Sequence, residues 1–190
     1  MTPSPSLPRA TPAARSSCSR NRAESGEAKL AQCTQSTQAL LTSSPQGKTD
    51  FLQADLRDPE AIVAGAAATL DFTRPIGVLL IAVLHFTPDT DDPYRIVGQP
   101  MDAVPSGSAL VIGHTARDVT AAAPAAAGEY NQLSAVPITL RDREQVTRFF
   151  DGLNMTGHGV VPLSNWWRSG DAGDSTASGL AGYCGIGVKP

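Results

Sequence analysis

Three histidines, two acidic groups and a tryptophan pair are the residues of this chain able to do chemistry. His85 closes the apolar run Gly77-Val-Leu-Leu-Ile-Ala-Val-Leu84, and the polar run Thr87-Pro88-Asp89-Thr90-Asp91-Asp92 begins just beyond it. Imidazole titrates near neutrality, so His85 could give or take a proton, or only hydrogen-bond backbone at a strand end. Asp55 follows another strand-like stretch. Its carboxylate could accept hydrogen bonds from a ligand's amine or hydroxyls, or be a solvated neighbour of a helix cap at Asp58. Asp89, Asp91 and Asp92 are hard oxygen donors, but their spacing is not that of a calcium loop, and helix capping by Asp92 explains them more simply. No metal site is expected. His114 occupies the corresponding place after Val111-Ile112-Gly113, His158 has no evident partner, and Trp166-Trp167 reads as a packing anchor or an aromatic platform. Neither G-x-G-x-x-G nor G-x-x-x-x-G-K occurs, so the usual glycine cradle for a dinucleotide or triphosphate is missing.

Alternating strand and helix signals must position these residues, and they argue for an α/β fold. Thr49–Ala54 reads as a short strand. Asp58-Pro59-Glu60 opens an Ala-rich helix expected to reach about Leu70, with Asp as cap and Pro at the first helical position. Ile76–Leu84 reads as a strand buried on both faces, because its apolar run is continuous. Ligands of open α/β sheets bind beyond the carboxyl ends of such strands, where His85 and His114 stand. Asp92-Pro93 repeats the helix signal, and a helix is expected to follow to about Asp102, short or kinked late because Pro100 interrupts it. A strand over Ser108–Gly113, a helix within Ala121–Ser134 and a helix from Leu140 to Phe150 follow. Strands over Met155–Leu163 and Tyr183–Val188 close the chain.

A length of 190 residues suits one domain with a sizeable core, and a formal charge of −3 gives no general attraction to nucleic acid or anionic membranes. No apolar run reaches the roughly 20 residues of a membrane span. The three cysteines are widely spaced and form no C-x-x-C pair, so a reducing cytoplasm is the simplest compartment. Residues 1–40, rich in Pro, Ser and Arg, lack the apolar residues to offset chain entropy and are expected to be disordered or unrelated to the domain at 41–190.

Four separated stretches together carry a resemblance: Ala54-Asp-Leu-Arg-Asp-Pro59; Leu84-His-Phe86 with Pro88 and Asp91-Asp-Pro-Tyr94; Ala103 into Pro105-Ser-Gly-Ser108; and Arg148-Phe-Phe-Asp-Gly-Leu153. They resemble the S-adenosyl methyltransferase family, from about Leu40 to Pro190. That resemblance implies a Rossmann-like class I methyltransferase sheet, S-adenosyl-L-methionine as cofactor and a methyl acceptor of unknown identity. It implies that Asp55 and Leu56 flank the cofactor's adenine and that Ala82, Val83, Leu84 and His85 line the cofactor and substrate pocket; no catalytic residue is assigned. The family's first strand, ending in a glycine-rich turn, and its acid-tipped second strand are not matched in residues 1–40. The expectation is therefore an incomplete sheet with its first two strands missing, impaired cofactor binding, and self-association through an exposed edge. The alternative is a non-catalytic interaction module or a remnant of a truncated gene.

Overall fold

The computed structural model describes residues 47–157, 159–166 and 181–190. The chain divides into two compact units, Met1–Thr49 and Asp50–Pro190. The elements below belong to the second. The expectations for residues 1–40, His158 and Trp167 lie outside the described residues.

One open sheet organises this unit, with strands β1 (Gly77–Ile81), β2 (Ala109–Thr115), β3 (Asn154–Met155), β4 (Val161–Pro162) and β5 (Gly182–Val188). Its order is β1-β2-β5-β3, with β4 also pairing to β5. β1 and β2 run parallel, Gly77 opposite Ala109 and Ile81 opposite Gly113. β5 returns antiparallel beside β2, Ala109 opposite Val188 and Thr115 opposite Gly182. Helices α1 (Pro59–Ala66), α2 (Pro93–Ala103), α3 (Ala123–Leu133) and α4 (Arg143–Thr147) fill the connections.

Local chemistry sets these bounds. The Asp58 and Asp92 side chains cap α1 and α2 by accepting from Ala61 N and Arg95 N, with Pro next in each case. α2 runs through Pro100 to Ala103, one residue past the expected end at Asp102. Proline cannot donate the backbone bond due to Ile96, but the last turn has another support. Lys189 Nζ donates to the carbonyls of Met101, Asp102 and Val104 at 2.8, 3.2 and 2.8 Å, as a cation at a helix C-terminus should. α4 starts only at Arg143, because Asp142 and Gln145 form a capping box there.

The strand expected over Thr49–Ala54 does not form: residues 48–54 carry no strand pairing and are mostly exposed. A strand needs a neighbouring ladder, and the ladders among the described residues join strands β1 through β5. The expected strand from Ile76 to Leu84 stops at Ile81, because Ala82 turns into the left-handed region at φ 55°. Met155–Leu163 is two short strands rather than one, separated by a turn in which Gly157 and Gly159 take positive φ.

The core lies on one sheet face. Leu110 and Ile112 of β2 meet Val97, Met101 and Val104 of the α2 region and Val146, Phe149 and Phe150 of the α4 region. Phe150 packs flat on β5, where a Cβ added to Gly187 would lie 2.9 Å from its ring. β1 is an edge strand among the described residues. Ile76 O and Ala82 N bond to β2, so by parallel alternation the N–H and C=O groups of Gly77, Leu79 and Ile81 point to the other edge. Leu79 and Ile81 are 65% and 56% exposed.

Candidate functional site

The carboxyl ends of β1 and β2 carry a cluster of polar side chains centred on Arg141. It lies just before α4, where its neighbourhood bridges Ala116 beyond β2. The Arg141 side chain is fully buried. Its Nη1 donates to Leu84 O at 3.1 Å and to His114 Nε2 at 2.8 Å. Its Nη2 donates to Thr87 O at 2.8 Å and to Asp89 Oδ1 at 2.7 Å. Nε has no partner among the described residues. The guanidinium also lies 5.5 Å from the centre of the Phe149 ring. One fork thus grips the turn after β1 at three points and pins it to β2.

His114 is the second member. Counting by twos along β2 puts it on the face of Leu110 and Ile112, and it is 1% exposed. Its Nδ1 donates to Thr115 O at 2.8 Å while Nε2 accepts from Arg141. Both nitrogens are occupied by an arrangement that fits the neutral ring. Burial pushes its pKa down to about 4; the bond to Thr115 opposes the shift, and the Arg141 cation reinforces it. His85 sits on a single 3-10 turn, Leu84–Phe86, and its Nδ1 lies 3.0 Å from Thr115 Oγ1. Burial and then the Arg141 charge lower its pKa as well. The site therefore holds two imidazoles, both disfavoured as cations, beside one buried cation that Asp89 partly balances.

Of the residues singled out in the sequence, Ala82, Val83, Leu84 and His85 form one turn at the β1 end. Leu84 is fully buried beneath it. Asp55 and Leu56 do not join them. Asp55 is exposed, and its carboxylate is engaged by Arg57 at 2.7 Å, whose guanidinium holds the acid's pKa down at about 2. Leu56 lines a cleft of ≈ 200 Å³ under α1, together with Val78, Leu80 and Ile96. Ala82 lines a different cavity of ≈ 480 Å³, with Ile81, Gly113, Thr115 and α3 residues. Leu80 and Ile81 point to opposite sheet faces, so the two hollows lie on opposite sides. His114, expected on the ligand side, is clamped in the core side of the cluster. Arg141 and Thr115 went unmarked in the sequence. Arg141 lies in the charged run Leu140-Arg-Asp-Arg-Glu144, which gives no sign that one arginine is buried. Asp89, Asp91 and Asp92 bind no common centre, and no metal-binding group of His, Cys, Asp or Glu occurs among the described residues.

An α/β sheet with a parallel β1-β2 pair, an antiparallel β5 and its polar cluster at the carboxyl ends defines a methyltransferase-like fold. The family model described as S-adenosyl methyltransferase matches residues 31–190, and the chain belongs to that family. Among solved structures it is similar to a DUF574 family protein from Streptomyces avermitilis MA-4680, with 32% identity and a TM-score of 0.73 over 81% of this chain. It is also similar to a candidate methyltransferase from Thermobifida fusca YX, with 28% identity and a TM-score of 0.67 over 82% of this chain. It spans 60% and 58% of those two chains. No curated protein sequence matches it.

Proposed function

We propose that this chain carries the β1–β2 half of an S-adenosylmethionine-dependent methyl-transfer site and, by itself, binds that cofactor weakly or not at all. When bound, S-adenosylmethionine supplies a methyl group on a sulfonium, open to in-line attack by an acceptor. The family and the turn at Ala82–His85 support the assignment; the His85 imidazole beside Thr115 is of a type that can accept a proton. Ala82, Val83, Leu84 and His85 would form one wall of the pocket, with Asp55 and Leu56 toward the adenine.

The described residues fit this cofactor only in part. Asp55 is occupied by Arg57. Beyond the β1 end, Asp89 is held by Arg141 and Asp92 caps α2. The observation that carries the reading is the edge of β1, open among the described residues, with Leu79 and Ile81 exposed. In a class I methyltransferase sheet that edge belongs to the first strand, whose glycine-rich turn would approach the cofactor. Isothermal titration of the whole chain with S-adenosylmethionine and S-adenosylhomocysteine tests this. The expected result is no saturation below millimolar concentration; micromolar binding of either overturns the reading.

The same edge favours a second reading, a non-catalytic module that pairs through β1 with another polypeptide or a second copy. Light scattering separates the two: a concentration-independent monomer counts against it. The proposed compartment is the cytoplasm, which suits the free thiol of Cys184.

A further inference from the structure

Helix α3 is seated on the fold far more lightly than α2. Buried Ile96, Val97 and Met101 anchor α2 in the core. In α3 nine of the eleven residues are exposed, Ala123 is half-buried, and the small Ala127 is the one buried residue. Its large apolar side chains, Tyr130 and Leu133, are 42% and 91% exposed. The first turn has no side-chain cap, and Gly128 stands mid-helix; both features weaken a helix. An isolated helix shorter than about 12–15 residues is marginal in water, so α3 persists through its attachments. Those attachments do not include close packing beneath it. The cavity of ≈ 480 Å³ lies there, lined on the sheet side by Ile81, Gly113 and Leu163 and on the helix side by Ala126, Ala127 and the Tyr130 phenol. A hollow on one side of a helix forfeits the contacts a filled core would give.

One polar attachment stands out. Asn131 Nδ2 donates to Ile138 O at 3.0 Å, and Asn131 Oδ1 accepts from Ile138 N at 2.7 Å. The strip that receives this amide clasp is itself fixed to the sheet. Thr139 N donates to His85 O at 2.7 Å and Arg141 N to Thr115 O at 3.4 Å. Arg117 Nη2 donates to Leu140 O at 3.0 Å, and the buried Arg141 fork holds the strip's far end. A firm strip and a loosely seated helix therefore meet at Asn131. No ladder of the sheet involves α3, so releasing the clasp leaves every strand pairing in place.

We propose that α3 is a lid on this cavity, latched by Asn131 to Ile138, and that it opens as a unit while the sheet stays folded. The proposal goes beyond the methyl-transfer reading and stands whether or not the cofactor binds. Hydrogen exchange of the full chain, read peptide by peptide by mass spectrometry, tests it. The α3 amides should be less protected than those of β2 by on the order of a hundredfold or more. Asn131→Ala sets two effects against each other. Alanine is the better helix former, so exchange would slow if the clasp held nothing. Loss of two hydrogen bonds, roughly fivefold each, outweighs that gain and should speed α3 exchange severalfold. Gly187→Ala, crowded against Phe150 and Leu153, should speed β2 exchange by roughly fivefold or more. It should leave α3 unchanged, because it weakens the closed and the open-lid chain alike. Ala127→Cys, under the helix, should react with a thiol reagent faster when Asn131→Ala is added, by the factor seen in α3 exchange. Four results would each overturn the proposal: α3 as protected as β2, no acceleration by Asn131→Ala, α3 speeding in step with β2 in Gly187→Ala, or Ala127→Cys labelling indifferent to Asn131→Ala. Should Gly187→Ala fail to fold, the remaining three measurements still decide it.

Discussion

Replacing Arg141 with methionine removes the fork while keeping much of the side chain's bulk. The consequences follow acceptor by acceptor. Leu84 O loses one bond at 3.1 Å but keeps its bond from Thr87 N. Asp89 is more than half exposed and passes to water. Thr87 O loses its bond from Nη2, and His114 Nε2 loses its bond from Nη1 inside the core. Each orphaned buried group costs about 1–3 kcal/mol. Two of them give roughly 2–6 kcal/mol, and relief of the guanidinium's own desolvation offsets a part. A net loss of about 3 kcal/mol is expected, a large share of the ~5–15 kcal/mol that holds a domain together. Arg141→Lys should recover little of it, since a single ammonium cannot span both sides of the fork. Urea unfolding of the full chain followed by far-ultraviolet circular dichroism reads this directly. A loss below about 1 kcal/mol for Arg141→Met would refute the view that this side chain holds the β1 turn in place.

Acid should act through His114, whose folded pKa of about 4 lies below the ordinary 6.5. The unfolded chain then takes up a proton that the folded chain does not. Stability is full above about pH 6.5, falls as pH drops toward 4, and loses roughly 3 kcal/mol across that window; a chain carrying His114→Gln should show a flatter profile in pH-dependent urea melts. Gly187→Ala pushes a Cβ to 2.9 Å from Phe150 and 3.0 Å from Leu153, and should cost about 1–3 kcal/mol by overpacking, seen as a lower thermal midpoint. Leu79→Lys, at an exposed position on the open edge of β1, should leave the midpoint within a degree or two and raise the concentration at which turbidity appears.

The strands that became β1, β2 and β5 were legible because each is a compact apolar run. α1 and α2 were legible because Asp-Pro states a helix start in local chemistry alone. Thr49–Ala54 has the composition of a strand, but strand formation is settled by a neighbour, and composition is silent on neighbours. The change of polarity after Leu84 marked the end of β1 three residues late, because nothing in the apolar Ala82-Val83-Leu84 announces the turn. His114 could have been read better, since its spacing from Leu110 and Ile112 by twos already puts it on their face. Arg141 could not. Its partner Leu84 is 57 residues away, and nothing local distinguishes it from Arg143, two positions on.

β5 occupies an interior place in the sheet although it is the last strand along the chain. During synthesis β1 and β2 emerge long before the ribbon that must lie between β2 and β3. For that interval β2 is a strand lacking its second neighbour, and β3 and β4 have no strand to lean on. Closure of the sheet therefore waits for residues 182–188 to clear the ribosome. Such late, long-range pairing is slow, and chaperone demand should be greatest in this nascent window.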